Sequence, residues 1–335
     1  MLNVAIAGAG LMGRVHCDSY ENVRGAKVAA VFDEIEDIAR LLAEKHDARA
    51  YYDFDKMLEQ EKIDIVDICL PTYLHKEFVI KAVNKKINVF CEKPIALKLE
   101  DAMEMLGMAE NNKVKFSIGQ VVRFFPAYNH AIKLIENGEI GTPKLIRTTR
   151  TGAFPTRSTR NWYADPTLSG GVLLDLVIHD FDWIRYNFGK VKRVYARNLL
   201  KDSPAEIDHC MVTLRLESGM IAHVEGSWAY PQGSVFGTTF EIIGTKGQIE
   251  FDSRGSAPLK KHLQVGGAEK IVYESPYFSY EEPYTAELQE YVNSILEDRE
   301  PAVRPEDAIK SLEISLAAVQ SSLSREVVTL GGERA

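Results

Sequence analysis

Short apolar runs and amphipathic stretches alternate along the first 120 residues. LNVAIAG at 2–8, KVAAVFD at 27–33, IDIVDICL at 63–70, INVFC at 87–91 and VKFSIG at 114–119 each have the length of one buried strand. The stretches between them are helical in pattern: within LEDAMEMLGMAENN, 99–112, Ala102, Met105, Leu106 and Ala109 recur at helical spacing. Repetition of strand and helix in this order predicts a doubly wound parallel sheet.

The period changes after Gly119. An amphipathic segment, PAYNHAIKLIENGEIG, is followed from about residue 143 by strands with a period of two. Val212, Leu214 and Leu216 alternate with Met211, Thr213 and Arg215, and a turn at Ser218 and Gly219 leads into MIAHVEGSW, the pattern of an antiparallel hairpin. FEIIGTKGQIEF, 240–251, reads as another. The second half is therefore expected to be α+β, a mainly antiparallel sheet with helices on one side. Its clearest helix is VLLDLVIHDFDWIRYNFG, and two more, YTAELQEYVNSILEDRE and PEDAIKSLEISLAAVQSSLS, flank PAVRP near the end. The change of period divides the chain into expected domains at 1–121 and 122–335.

Composition adds exclusions. With 335 residues, 45% of them hydrophobic, the chain can bury two cores. A net charge of −8 without a basic patch argues against a nucleic-acid partner. No apolar run approaches the roughly 20 residues that cross a bilayer. The chain opens directly on a strand, leaving no room for a signal peptide, so a cytoplasmic protein with no membrane partner is expected. Cys17, Cys69, Cys91 and Cys210 are widely spaced, and three lie in or beside apolar segments; they read as free thiols, neither disulfides nor a zinc set.

GAGLMG, 8–13, places Gly8, Gly10 and Gly13 in G-x-G-x-x-G spacing between a strand and a helix, the context this dinucleotide motif requires. Gly8 makes the tight turn, Gly10 lets the backbone approach a pyrophosphate, and Gly13 allows helix and strand to pack closely. Leu11 and Met12 complete the loop, where the first N–H groups of the helix face the phosphates. Asp33 ends the second strand, 20 residues after Gly13, where a carboxylate can accept from ribose hydroxyls. FDEIED is acidic with no arginine before Arg40, which favours NAD over NADP.

Lys93 follows a central strand in VFCEKPIAL, at the sheet edge where ligands bind in such folds. Glu92 can hold its ammonium and Pro94 fixes the chain direction. A lysine there can donate to a developing alkoxide, although a surface lysine after a strand is the ordinary alternative. In LLDLVIHDFDW, Asp175, His179 and Asp182 have the spacing of one helix side, and an imidazole one turn from a carboxylate suits acid-base work. A polar helix face with a satisfied histidine fits the same residues. No further ligand cluster supports a metal on this face, and none is expected.

GAGLMG, the Asp33 strand end, TYLHKEF, FCEKP and SGGVLLDLVIHDFDW together resemble the glucose-fructose oxidoreductase and inositol dehydrogenase family, Gfo/Idh/MocA, over essentially the whole chain. The resemblance implies a Rossmann domain at 1–121 and an open-faced substrate-binding and oligomerisation domain at 122–335. It implies a catalytic Lys93 with a cis Lys93–Pro94 peptide, a substrate-orienting Asp175 and an acid-base His179. Pro71, Thr72 and His75 match the segment lining the nicotinamide side, Glu92 accompanies Lys93 there, and Arg123 matches an arginine at the start of the second domain. Where relatives often have glycine before the EKP strand, this chain reads NKKINVF, so Lys85 or Lys86 must end the preceding helix. Many relatives are dimers or tetramers, and a homodimer or homotetramer is implied.

AFPTRSTRNWYADPTLSGG, 153–171, is long, irregular and rich in aromatic and arginine residues. Trp162 and Tyr163 can stack on a sugar face, and Arg157, Arg160 and Asn161 can bond to hydroxyls; a loop packed on a neighbouring subunit is the alternative. The expectation is an NAD-dependent dehydrogenase acting on a secondary alcohol of a sugar or cyclitol. The alternatives are an NAD-dependent glycosidase that oxidises its sugar transiently and a non-catalytic NAD-binding regulator.

Overall fold

The computed structural model describes residues 1–156, 159–199, 208–255, 258–265, 268–274 and 282–331. The chain forms two compact units: Met1–Val121 with Arg157–Trp162 and Glu281–Leu312, and Val122–Thr156 with Tyr163–Tyr280 and Glu313–Ala335.

The first unit is built on six parallel strands: β1 Leu2–Ala7, β2 Ala26–Phe32, β3 Arg49–Tyr51, β4 Ile65–Ile68, β5 Asn88–Glu92 and β6 Phe116–Gly119. Their order is β3-β2-β1-β4-β5-β6, the doubly wound topology. Every residue of β4, and all but the first of β5, is buried, which is why these strands read as mainly apolar runs, with Asp67 and Glu92 as the buried exceptions. β3 had no such run: RAY is short and polar and pairs only with β2 at the sheet edge. The helices are α1 Leu11–Tyr20, α2 Glu36–Lys45, α3 Phe54–Gln60, α4 His75–Asn84 and α5 Leu99–Asn112. α4 ends where expected: Lys85 caps it and Lys86 takes the left-handed conformation at φ 59°. The late segment Glu281–Leu312, expected with the second half, joins this unit. Leu288, Tyr291 and Val292 enter its core beside Val4, Ile6, Ile65 and Phe90.

The second unit holds α6 Pro126–Glu136, β7 Pro143–Ala153, the short α7 Pro166–Ser169, α8 Ile178–Phe188, β8 Val191–Asn198, β9 His209–Leu216, β10 Ile221–Tyr230, β11 Gly237–Gly244, β12 Gly247–Asp252, β13 Leu259–Val265, β14 Ala268–Glu274 and β15 Val328–Thr329. They form one sheet in the order β14-β13-β12-β11-β7-β10-β9-β8-β15, antiparallel except for the β7–β10 pair. In β9 the alternation holds residue by residue: Val212, Leu214 and Leu216 are buried and Met211 is 62% exposed. Trp183 of α8 packs edge-on to Tyr128 of α6, with ring centroids 4.9 Å apart, and lies 5.3 Å from Phe240 of β11, so aromatic contacts fix both helices to one face of the sheet. Among the described residues no helix is long and apolar enough to cross a membrane.

Candidate functional site

In the first unit the C-terminal ends of β1, β2, β4 and β5 carry nearly all the residues assigned to the cofactor. Gly8 turns the chain at φ 103°, and a side chain there would meet the Cys69 carbonyl oxygen at 2.8 Å. A Cβ on Gly13 would collide with the Gly8 carbonyl, so α1 can begin this close to β1 only with glycine. Gly10 has open space around its Cβ position, which leaves its backbone approachable. Leu11 is 78% exposed beside it and Met12 is half-buried. The first-turn N–H groups of α1 have no acceptor within the helix, so the loop fits the pyrophosphate of a dinucleotide.

Asp33 shapes this loop. Its Oδ2 accepts the Ala9 N–H at 2.9 Å and its Oδ1 the Ile35 N–H at 2.9 Å. Each oxygen keeps a lone pair for a ribose hydroxyl. Arg160, which the sequence offers as a bonding partner for substrate hydroxyls, lies 3.3 Å from Glu34 in an exposed ion pair.

At the end of β4, Pro71 precedes a helical turn over Thr72–Leu74, with Thr72 buried. His75 is interior: Nδ1 lies 2.8 Å from the Pro94 carbonyl oxygen and Nε2 2.9 Å from that of Leu70. The ring ties the two strand ends together. Burial pushes its pKa below the usual histidine value, outweighing the two carbonyl acceptors.

Lys93 follows β5 half-buried, and the Lys93–Pro94 peptide is cis. Its N–H donates to Glu92 Oε2 at 3.0 Å. Burial would raise the Glu92 pKa, but His16 and Lys93 outweigh it and hold the carboxyl low. His16, in α1, is wholly buried, with Nδ1 2.9 Å from Asp67 Oδ2 and Nε2 3.2 Å from Glu92 Oε1, the latter too bent for a linear hydrogen bond. Sequence reading missed His16 and Asp67. The available signal was a histidine on the inward face of α1, among Gly13, Cys17 and Tyr20.

The second unit carries Asp175 and His179, and here the single helix expected over 172–189 is corrected. Val172–Leu176 winds as a π-helix, closed by the Val177 N–H on the Val172 carbonyl at 3.0 Å. The backbone breaks at Val177, with φ −86° and ψ 0°, before α8 starts. Asp175, His179 and Asp182 therefore do not share one helical register. Asp175 is buried on the π turn and His179 half-buried in the first turn of α8. Single-turn π segments are frequent at functional sites. The Val172 N–H donates to Asp208 Oδ2 at 2.7 Å, and burial raises the pKa of that carboxyl. Asp208 is a third residue the sequence did not single out.

Arg123, assigned to the cofactor from the resemblance, grips Asp182 with Nε to Oδ2 at 2.7 Å and Nη2 to Oδ1 at 2.6 Å. Its guanidinium also stacks 3.8 Å from the Tyr186 ring centre. Arg150 Nε bonds Asp180 at 2.9 Å, so two buried arginines hold α8 through Asp180 and Asp182.

The long loop is divided. Trp162 meets Tyr73 edge-on at 6.5 Å within the first unit, and Tyr163 meets Trp228 at 5.8 Å within the second. Asn161 is exposed in left-handed conformation. Arg157 lies outside the described residues.

Comparison with known proteins accords with this geometry. Residues 2–120 match the model of an oxidoreductase family with an NAD-binding Rossmann fold, and residues 128–250 match the GFO/IDH/MocA C-terminal domain. The chain is 30% identical to a myo-inositol 2-dehydrogenase of Thermotoga maritima, over 98% of each chain. It is 32% identical to a 2,7-anhydro-N-acetylneuraminate hydratase of Escherichia coli, over 82% of this chain and 74% of that one. The solved structure of a levoglucosan dehydrogenase with NADH and levoglucosan shares the fold, with a TM-score of 0.87 at 23% identity, over 99% of this chain and 100% of that one. The chain belongs to the Gfo/Idh/MocA family and is an NAD-binding oxidoreductase.

Proposed function

We propose that the enzyme is a dehydrogenase that moves a hydride between a secondary alcohol of a sugar or cyclitol and nicotinamide. The observation that carries this reading is Lys93, held by Glu92 on the same sheet edge as the glycine loop and Asp33. In oxidation His179 takes the hydroxyl proton, Lys93 donates to the oxyanion that develops, and Asp175 orients His179 or a neighbouring hydroxyl. Bound NAD supplies the hydride acceptor. Trp162, Tyr163 and Asn161 are assigned to the sugar side, and residues from 122 onward to substrate binding and self-association. The exposed Tyr195 and Met211 on β8 and β9 support a homo-oligomer built on the open sheet face. Four free thiols support a reducing, cytoplasmic setting.

A panel of cyclitols, sugars and sugar acids, each offered with NAD and with NADP and followed by NADH or NADPH absorbance, tests the reading. Reduction of NAD by a cyclitol or sugar is expected, and a clear NADP preference would overturn the role given to Asp33. The hydratase relative favours a second reading, transient oxidation with no net redox change. Paired assays of free product and NADH separate the two.

A further inference from the structure

His16 lies at the centre of a buried charge cluster that the proposed chemistry does not yet use. Its ring is faced by Asp67 from β4, Cys69 just after it, Glu92 and Phe90 from β5, and Tyr284 from helix α9 (Pro283–Leu296). The Cys69 Sγ is 3.3 Å from Nδ1, and the Phe90 and Tyr284 rings lie 5.8 and 5.9 Å away. Each ring nitrogen meets a carboxylate: Nδ1 reaches both oxygens of Asp67, at 2.9 and 3.1 Å, and Nε2 reaches Glu92 Oε1. A neutral imidazole would set a lone pair against one of two carboxylate charges, so the paired negative charges favour the imidazolium.

The rest of the cluster leads to the lysine. Glu92 Oε1 pairs with His16 Nε2 by charge at 3.2 Å and Oε2 accepts the Lys93 N–H, so one carboxylate spans both. Glycine at 119 in β6 leaves the room that this carboxylate occupies, since an added Cβ there would come within 3.0 Å of Oε1. Each oxygen of the carboxylate thus has its own partner. Direct contacts of the imidazole with Asp67 and Cys69 close this cluster by hydrogen bonds.

We propose that His16 is a positioning residue for Lys93: it clamps Glu92, which fixes the Lys93 main chain, so the helix that follows the glycine loop sets where the catalytic ammonium stands. The inference rests on the reading of Lys93 as catalytic.

The test uses His16→Asn, Glu92→Gln, their double variant and Lys93→Met in the full chain, assayed on the best substrate of the panel with turnover corrected for folded fraction. His16→Asn is expected to lower kcat by about 10²-fold, the scale of an ångström misplacement, with substrate KM and the NAD dissociation constant within about threefold. The double variant is expected to be no slower than the worse single one, because both changes cut the same chain of contacts. In protein labelled with ¹⁵N-lysine, the Lys93 amide resonance, identified by its loss in Lys93→Met, is expected to move in His16→Asn. Unchanged corrected kcat, additive losses or an unmoved amide would each overturn the proposal. If Lys93→Met kept wild-type turnover, the catalytic reading of Lys93 would fail instead. Should His16→Asn not fold, imidazole ¹⁵N spectra of the wild type decide: both His16 nitrogens protonated at about pH 8 supports the clamp, and a neutral ring there sinks it.

Discussion

Two alanines in the glycine loop separate its effect on folding from its effect on the cofactor. In Gly13→Ala the new methyl would stand so far inside 3.0 Å of the Gly8 carbonyl oxygen that α1 must retreat by about 1 Å. Overpacking of this kind costs about 1–3 kcal/mol, and it draws the helix N-terminus away from the phosphates. The Gly10→Ala methyl meets no protein atom within 4 Å, so it costs the fold little. It does fill space over the backbone where a pyrophosphate must approach. NAD titrations followed by fluorescence, run beside thermal melts, distinguish the two. Gly13→Ala should lower both melting temperature and NAD affinity, whereas Gly10→Ala should melt within about a degree of wild type and bind NAD at least about tenfold more weakly, a loss of about 1.4 kcal/mol. Wild-type NAD affinity in Gly10→Ala would refute the placement of the cofactor on this loop.

Other changes probe the framework. Lys86→Gly, which relieves a left-handed lysine at φ 59°, should stabilise the chain by about 0.5–1 kcal/mol in urea unfolding. Arg123→Met removes the guanidinium from a buried carboxylate and should cost about 3–5 kcal/mol, with Asp182→Asn in the same chain recovering part of the loss. His75 titrates below the usual histidine value in the folded chain, so its unfolded form binds the proton more readily and stability falls as pH drops through about 6.5. His75→Asn should shrink the difference in melting temperature between about pH 7.5 and about pH 5.5, and an unchanged difference would count against a buried neutral ring.

Local patterns were legible wherever the cause is local. The glycine spacing, the strand ending at Asp33 and the turn at Lys93 are set by neighbouring residues, and so is the alternation in β9. The π turn at Val172–Leu176 was not legible, because a hydrogen bond one residue longer changes no residue type. Nor were the partners of His16 and Arg123, since Asp67 is 51 positions from the first and Asp182 59 from the second. The docking of α9 against α1 escaped for the same reason: an amphipathic face shows that a helix is covered and not what covers it.

The central claim is that Lys93 and His179 carry a hydride transfer between an alcohol and nicotinamide. Its most direct test is the time course of NADH absorbance for wild type, Lys93→Met and His179→Ala, with NAD and the panel of cyclitols and sugars. NADH should accumulate with at least one alcohol in the wild type, and each variant should lose about 10²- to 10⁴-fold in kcat. Near wild-type rates in either variant, or no net NADH with any alcohol, would contradict it.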